Sequence, residues 1–430
     1  MKILQIIPGS GGSFYCGNCL RDSKYVDALR KQGHEVIKIP MYLPLFADEH
    51  DLTGIPVFYG AVSIYLKQIY PIFRKAPEWF DKLLNSKSIL KLAAGQAGST
   101  RAKGLEEMTI SMLLGEDGQQ KNELNRMIEW ISDNCKPDII HISNALLLGL
   151  AHQLREKIHV PIICSLQDED TWVDVMKPHI REKIWKLMES KVAHVDGFIA
   201  VSDYYKIVMQ KNMNIPDNKL FRVHIGVDPN DYKYLPVSEK TRTIGFISRM
   251  CYDNGLDILT DAFIELRSKK GFEDVKLIIT GGNTNDDIKY IKGIKKKLKM
   301  HKLSGEVEFH EIFEGDGRKE FFKKVSVISV PVRNGEAFGI YLLEAMASGV
   351  PVIQPSLGAF PEIVNRAGGG IIFKPNSSSK LADSIANLLS DPNLISKLSS
   401  EGRRGIENKF DIDQHTKEMV SIYKMVRENI

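Results

Sequence analysis

Residues 331–351 read PVRNGEAFGIYLLEAMASGVP and contain the motif that decides the fold. An apolar run at residues 325–330 precedes this stretch, predicts a buried strand and leads into a polar turn. A helix is then predicted from near Phe338 to Gly349, because a glycine followed closely by Pro351 is a typical helix end. The stretch therefore predicts a strand–turn–helix unit, as found throughout α/β proteins.

Two glutamates of this stretch, Glu336 and Glu344, are separated by seven residues. Positions eight apart on a helix lie about 80° apart around the axis and roughly 12 Å along it. The distance from a hexose to a ribose across a diphosphate is of that order. A helix N-terminus between the glutamates offers free N–H groups and the positive end of a dipole, which suits a diphosphate. One element can therefore hold the sugar, diphosphate and ribose of a nucleotide sugar.

The same strand–helix pattern repeats through a chain of 430 residues, which is too long for one hydrophobic core. The apolar runs lie at residues 3–7, 35–39, 138–142, 161–165 and 197–201, and at 243–248, 275–280, 325–330 and 351–354. Continuous apolar runs indicate strands covered on both faces, as in parallel sheets. We predict an α/β protein with two doubly wound, Rossmann-like domains.

We place the domain boundaries by composition. Residues 229–241 are polar and lack an apolar run, so the first domain is predicted to be 1–232 and the second 233–410. A terminal helix is predicted at 411–430, and we expect it to pack towards the first domain.

Composition argues against several classes of protein. The net charge of +4 is too small to indicate a nucleic-acid partner. Five cysteines, an odd number scattered along the chain, form no disulfide framework and suit a reducing cytosol. No apolar run approaches the roughly 18 residues that span a bilayer, and the N-terminus resembles a first strand rather than a signal peptide. We expect a cytoplasmic protein.

The segment 60–103 differs from the rest, with eight cations against two anions and several aromatic residues. The simpler interpretation is a helical excursion with a solvated basic face. The alternative is contact with an anionic lipid surface or a charged acceptor, which would place the protein at the cytoplasmic face of a membrane.

The motif at 331–351 resembles that of the retaining glycosyltransferases with the GT-B fold, carbohydrate-enzyme family 4, also called glycosyl transferases group 1. That family carries two glutamates separated by seven residues in a Glu-Gly-Phe-Gly…Glu-Ala context. The matching residues here are Glu336, Phe338, Gly339 and Glu344, with Ala337 in place of the usual glycine.

The resemblance implies a site in a cleft between the two domains. It implies that Glu336 is catalytic and meets the sugar and the distal phosphate, together with the backbone of Phe338, Gly339 and Ile340. Glu344 would accept the ribose hydroxyls, since a carboxylate is a natural acceptor for paired hydroxyl donors.

Three other places in the second half resemble the family. Arg249, at the end of the predicted strand 243–248, would face the diphosphate with its guanidinium fork and act in catalysis. Gly281 and Gly282 follow another strand where backbone can approach the nucleotide, and Glu362 ends a turn resembling Gly-x-Pro-Glu.

One position in this part of the chain departs from the family. Relatives usually carry Arg-x4-Lys-Gly, and here Asn254 replaces the lysine that helps to grip the diphosphate. The segment 223–228 resembles the family's Asn-Gly-Val-Asp, but Ile225 replaces the asparagine, so it implies no catalytic residue.

The first half carries weaker signals. Gly11 and Gly12 belong to a glycine-rich loop after the first strand, and the resemblance implies that this loop closes over the donor diphosphate. The loop does not match Gly-x-Gly-x-x-Gly with a following acidic residue, so a nicotinamide site has little support. Asp168 follows the strand 161–165 where many relatives have a histidine, and it is our acid–base candidate.

Metal sites receive little support. Asp168 and Asp170 imitate the metal-binding carboxylates of the other glycosyltransferase fold, but GT-B sites use a helix dipole and basic side chains instead, so we predict no metal and no cofactor. Cys16 and Cys19 form one Cys-x-x-Cys, which is half a zinc site or a redox pair. A packing role in the loop is the simpler interpretation of this pair.

We therefore predict a retaining hexosyltransferase in glycan biosynthesis that uses a nucleotide-sugar donor and a glycan, lipid or small-molecule acceptor. Front-face attack is expected, with the leaving phosphate helping to deprotonate the acceptor. One alternative is a catalytically degenerate GT-B protein that binds nucleotide sugar or a partner, motivated by Ala337, Ile225 and Asn254. Another is a same-fold sugar-nucleotide epimerase or hydrolase. The nucleotide, sugar, acceptor, linkage and oligomeric state stay open.

Overall fold

The computed structural model describes residues 1–8, 17–41, 58, 104–310 and 315–428. Its contacts divide the chain into two compact units. Described residues up to 223, Gly17 excepted, belong with 416–428 to the first unit, and 224–415 belong to the second. Gly11, Gly12, Cys16 and the basic segment 60–103 lie outside the described residues, so the expectations for them stay predictions.

The first unit contains a six-stranded sheet whose strands are all parallel. Its strands are β1 (Lys2–Ile7), β2 (Glu35–Pro40), β3 (Ile139–Ile142), β4 (Ile162–Leu166), β5 (Gly197–Ala200) and β6 (Leu220–Arg222). The spatial order is β2-β1-β3-β4-β5-β6. Strands β3, β4 and β5 are buried along their whole length, as the continuous apolar runs predict.

Helices surround this sheet. They are α1 (Gly17–Lys31), α2 (Glu106–Leu114), α3 (Lys121–Asn134), α4 (Ala151–Ile158), α5 (Glu169–Val173), α6 (Pro178–Ser190) and α7 (Asp203–Met213). The last helix of the chain, α15 (Ile412–Glu428), contributes residues 416–428 to the same unit, where Tyr423 and Val426 are buried.

The second unit repeats the arrangement. Its parallel sheet has the order β12-β11-β10-β7-β8-β9. The strands are β7 (Thr243–Ile247), β8 (Lys276–Thr280), β9 (Val307–Phe309), β10 (Val327–Ile328), β11 (Val352–Pro355) and β12 (Gly370–Phe373). The helices are α8 (Leu256–Arg267), α9 (Ile288–Met300), α10 (Gly315–Lys324), α11 (Ile340–Ala347), α12 (Phe360–Ala367), α13 (Ser378–Leu389) and α14 (Pro392–Lys409). Two parallel sheets with helical connections confirm the predicted pair of Rossmann-like domains.

Two element boundaries differ from the sequence prediction. The strand predicted at 325–330 is reduced to Val327–Ile328, although the backbone N–H of Ser326 and of Ser329 still donates to β7, at 2.8 and 3.1 Å. Helix α11 begins at Ile340 rather than near Phe338, because Gly339 adopts a left-handed conformation with φ of 89°. The turn therefore runs further into the motif than periodicity indicates.

None of the described helices combines the length and the apolar character that crossing a membrane needs.

Candidate functional site

Five of the residues predicted to form the donor site follow the carboxyl ends of four neighbouring strands in the second unit. Arg249 follows β7, Gly281 and Gly282 follow β8, Glu336 follows β10 and Glu362 follows β11. These four strands are adjacent in the order β11-β10-β7-β8. Because parallel strands point the same way, their loops lie along one edge of the sheet, which is where ligands bind in open α/β sheets.

Backbone hydrogen bonds join these loops in series. The amide of Met250 donates to the Gly282 carbonyl at 2.9 Å, that of Arg333 to Asp253 at 2.9 Å, and that of Ala359 to Glu336 at 3.0 Å. The loop after β7 is thereby bonded to the loops after β8 and β10. The loop after β10 is also bonded to the loop after β11. The loops that carry Arg249, Gly281, Gly282, Glu336 and Glu362 are consequently joined to one another.

Gly281 shows why one of these positions needs glycine. Its φ is 117°, and a Cβ built on it would lie 2.2 Å from the Ser248 carbonyl oxygen. Any side chain would push the β7 and β8 loops apart. The close approach seen here is to the neighbouring loop, and contact of Gly281 and Gly282 with a nucleotide stays a prediction.

Glu336 lies in the turn before α11 and is half-buried. A Cβ built on Gly339 would come within 3.1 Å of a Glu336 carboxylate oxygen, so this carboxylate stands beside the start of the helix. All eight residues of α11 are buried, which fixes the helix in the unit. The turn therefore places a carboxylate and the positive end of a helix dipole side by side.

Glu344 is fully buried, with none of its surface exposed. The Tyr232 hydroxyl donates to its Oε1 at 2.6 Å, and the Arg318 Nε lies 2.9 Å from the same oxygen in an ion pair. Burial, and then the Glu344 carboxylate, raises the pKa of Tyr232 well above its usual value. A ribose hydroxyl that reached the Glu344 carboxylate would bind it beside Tyr232 and Arg318 or would displace one of them. The ribose contact stays a prediction.

Sequence reasoning missed both partners of Glu344. Tyr232 lies at the edge of the polar stretch that we interpreted as a linker, and Arg318 lies in α10 without any motif around it. An aromatic residue in an otherwise polar stretch was the one available signal.

Arg249 is held by the start of α9. Its Nε donates to Asp287 Oδ2 at 2.8 Å and its Nη2 to Thr284 Oγ1 at 2.7 Å. Although burial raises the pKa of Asp287, hydrogen bonds from Arg249 and Thr284 lower it below its usual value. The guanidinium is thus fixed in orientation at the carboxyl edge of the sheet.

Asn254 closes the loop that contains Arg249. Its Nδ2 donates to Ser248 Oγ at 2.8 Å and to the Arg249 carbonyl at 3.0 Å. At the position where the resemblance leads us to expect a lysine, this chain therefore has a side chain that stabilises the loop.

Glu362 is paired with a histidine that the sequence did not indicate. His224 Nε2 donates to Glu362 Oε1 at 2.6 Å, and His224 is 1% exposed. The His224 ring also lies against Phe338, with ring centroids 6.1 Å apart, and against Phe410 at 5.5 Å. His224 therefore connects Glu362 with the motif residue Phe338. The partners are too far apart in sequence for a local pattern to relate them.

The first unit has a buried polar network at the ends of β3 and β4. Arg21 Nη1 donates to Gln167 Oε1 and Nη2 to Ser165 Oγ at 2.7 Å, and His141 contacts Ser165 Oγ at 2.8 Å and the Tyr423 hydroxyl at 2.5 Å. Burial, aided by the Arg21 charge, lowers the pKa of His141 to about 3, so the imidazole is neutral near pH 7. Because Tyr423 belongs to α15, the network holds the last helix to this sheet.

Asp168 lies at the start of α5 and is half-buried, with the left-handed φ of 58°. Asn18 Nδ2 lies within 3.4 Å of its Oδ2. The neighbouring Glu169 is fully buried and accepts from the backbone of Ala145 and Gln167 and from the Tyr205 hydroxyl. Burial raises the pKa of Glu169 to about 7. Glu169 organises the loop, and an acid–base role for Asp168 stays a prediction.

Two protein-family models match the chain. The model described as glycosyl transferases group 1 matches residues 228–405, which contain the second sheet. The model described as Glycosyltransferase Family 4 matches residues 113–231, which contain β3 to β6. The two matches overlap at residues 228–231 and together cover residues 113–405.

Two relatives with glycosyltransferase names agree with these models. An uncharacterized glycosyltransferase of Methanocaldococcus jannaschii is 27% identical over 247 residues, which are 54% of this chain and 60% of that protein. The chain thus spans less than two thirds of that relative's length. A phosphatidyl-myo-inositol mannosyltransferase of Mycobacterium leprae is 26% identical over 309 residues, which are 70% of this chain and 77% of that protein.

Among solved structures, Anabaena HepE in complex with UDP is similar to this chain. The TM-score is 0.71 at 16% identity, and the match covers 99% of this chain and 100% of that one. At this identity the likeness concerns the fold alone, and together with the two parallel sheets it confirms the predicted GT-B fold.

Proposed function

Because the chain belongs to the group 1 glycosyltransferases, we propose that it transfers a hexose from a nucleotide sugar to a glycan, lipid or small-molecule acceptor, without a metal and with retention of the anomeric configuration. The observation that carries this proposal is the convergence of Arg249, Glu336 and the α11 N-terminus on one edge of the second sheet. Together they offer a cation, a carboxylate and a helix dipole to a sugar diphosphate.

Each group has a part in the proposed reaction. Arg249 and the amides at the start of α11 would stabilise the negative charge that develops on the departing diphosphate. Glu336, beside that helix start, would stabilise positive charge on the sugar. The leaving phosphate would take the acceptor's proton, so the protein supplies mainly positioning and electrostatic stabilisation. Asp168 is the candidate for assisting the acceptor from the first unit.

Named relatives support the substrate classes. The similar Anabaena protein binds UDP, which supports a nucleoside-diphosphate donor. The Mycobacterium leprae relative acts on phosphatidyl-myo-inositol, which supports a lipid among the three acceptor classes. Neither name selects the donor sugar or the acceptor of this chain.

A second function is favoured by a specific observation. Arg249 already forms an ion pair with Asp287, and Glu344 already forms one with Arg318. Asn254 stands where the family resemblance leads us to expect a lysine. A protein that binds nucleotide sugar weakly without transferring it would show these features. A same-fold epimerase or hydrolase differs again, because it would act on the sugar without any acceptor.

The experiment that tests the proposal is a thermal-shift screen with UDP-, GDP- and ADP-sugars in excess EDTA, followed by turnover with the stabilising donor. A ligand that binds only the folded state raises the melting temperature. We expect one class of nucleotide sugar to raise the melting temperature. We also expect sugar transfer to continue in EDTA, because Arg249 and a helix terminus take the place of a metal. The same assay with added Mg²⁺ is the control. Complete loss of transfer in EDTA that Mg²⁺ restores would contradict metal independence, and donor binding without transfer to any acceptor would favour the second function.

The missing cation at position 254 leads to a separate prediction. Asn254→Lys is expected to lower the dissociation constant for a nucleoside diphosphate several-fold, which is on the order of 1 kcal/mol. The reason is that charge-assisted hydrogen bonds to phosphate are stronger than neutral ones. Calorimetric titration of the nucleoside diphosphate into both proteins measures the change. Asn254→Met is the matched control, since it lengthens the side chain without charge and loses the bonds to Ser248 and Arg249. Equal affinity of the lysine variant and the parent would show that another cation already serves this place.

A further inference from the structure

Helix α9 has a strongly cationic face. Residues 289–302 contain seven lysines, and no acidic residue occurs from 288 to 305. The helix packs into the second unit through Ile291, Ile294 and Leu298, which are buried. At about 100° per residue these three cover a narrow arc, and the lysines at 289, 292, 295, 296 and 299 cover an adjacent arc of about 120°. The helix therefore has one buried face and a lysine face next to it.

Most of this charge is not neutralised within the described part of the chain. Lys297, on another side of the helix, forms an ion pair with Asp261, and Lys295 Nζ lies 4.5 Å from the Phe309 ring centroid. Lys289, Lys292, Lys296 and Lys299 are exposed and form no ion pair with a described carboxylate. These four ammonium groups are distributed over about 15 Å of helix.

Two large apolar side chains share the lysine face. Met300 is 72% exposed and Ile288 is 42% exposed. By helical position Ile288 falls among the lysines and Met300 at their edge. The phosphate backbone of a nucleic acid would satisfy the ammonium groups but would leave these apolar groups in water. A bilayer interface accommodates both, since lysine stems and apolar side chains enter the boundary while the ammonium groups stay at the phosphates.

We propose that the α9 lysine face, made of Ile288, Lys289, Lys292, Lys296, Lys299 and Met300, docks the protein on an anionic lipid surface. The helix axis lies parallel to the bilayer plane, with its buried face still packed in the second unit. A lysine near an anionic leaflet improves binding about five-fold. The four lysines together then increase the affinity for an anionic leaflet by several hundred-fold at low ionic strength.

Sedimentation with vesicles tests this proposal. The parent protein is expected to sediment with phosphatidylcholine vesicles that contain phosphatidylglycerol at low salt, and not with pure phosphatidylcholine. Replacing Lys289, Lys292, Lys296 and Lys299 by glutamate is expected to weaken vesicle binding at least 100-fold. Replacement of the same four by glutamine is the milder variant, expected to weaken it at least ten-fold should the glutamate variant fail to fold.

A matched control separates this face from overall charge. Replacing Lys177, Arg181, Lys183 and Lys211 by glutamate changes the net charge equally on exposed positions of the first unit. This control is expected to bind anionic vesicles within about three-fold of the parent. Equal loss in the control would overturn the proposal, because net charge alone would then explain the binding.

Further outcomes bear on the proposal. Met300→Gln with Ile288→Gln is expected to weaken vesicle binding several-fold, and binding to polyphosphate should not change. Parent-level vesicle binding by the glutamate variant would overturn the proposal, and it would indicate another surface such as the segment 60–103. Binding of the parent to polyphosphate but not to anionic vesicles would overturn it as well.

Discussion

Replacing Glu336 by glutamine is expected to reduce kcat by about 100-fold or more, the size of effect seen when one electrostatic contact to a transition state is removed. The side chain keeps its shape but loses the charge that would stabilise the oxocarbenium-like sugar. The Glu336 carbonyl still accepts from Ala359, and Glu336 is only half-buried, so the fold should be unaffected. Steady-state kinetics with the donor found by screening measure kcat, and the melting temperature shows whether the fold is unaffected.

The control for Glu336→Gln is the same change at Glu182. That glutamate is 68% exposed and pairs with Lys186 at the surface, where ion pairs contribute little. Glu182→Gln is therefore expected to leave kcat unchanged. If Glu336→Gln keeps kcat within about three-fold of the parent, the carboxylate has no part in the transition state and our assignment fails.

Replacing Glu344 by glutamine is expected to reduce the free energy of unfolding by about 3 kcal/mol, since removing one partner leaves the other charge buried and uncompensated. The charge left behind belongs to Arg318, whose side chain is 10% exposed, and Tyr232 loses its charged acceptor. Urea denaturation gives the change in stability. Weaker donor binding is expected too, as the proposed ribose contact requires, and titration at a temperature where the variant is folded measures it separately.

A double-variant cycle is the control for Glu344. Arg318→Gln alone is expected to reduce the free energy of unfolding. The double variant Arg318→Gln with Glu344→Gln is expected to lose clearly less free energy of unfolding than the sum of the two single variants, because the two groups interact. Additive effects would mean that the ion pair contributes nothing. A Glu344→Gln variant as stable as the parent would refute the buried-pair argument, whatever its affinity for the donor.

The sequence by itself determined the class of fold and the position of the candidate site. Continuous apolar runs predict strands covered on both faces, and nine of the twelve described strands coincide with such runs. The strands that the pattern did not indicate are β6, β9 and β12. Strands β6 and β9 have three residues each and carry a charge, and β12 starts at a glycine. Glu336, Gly339 and Glu344 could be located because their spacing is a local property of one turn and one helix.

Only the tertiary structure decided which partners these residues have. Glu344 contacts Tyr232 across 112 residues of sequence, and Glu362 contacts His224 across 138. Arg249 meets Asp287 because the β7 and β8 loops lie side by side. Periodicity reports which face of an element is buried, but it contains no information about what packs against that face. A carboxylate that looks like a surface ligand in the sequence can therefore be a buried ion pair in the fold, as Glu344 is.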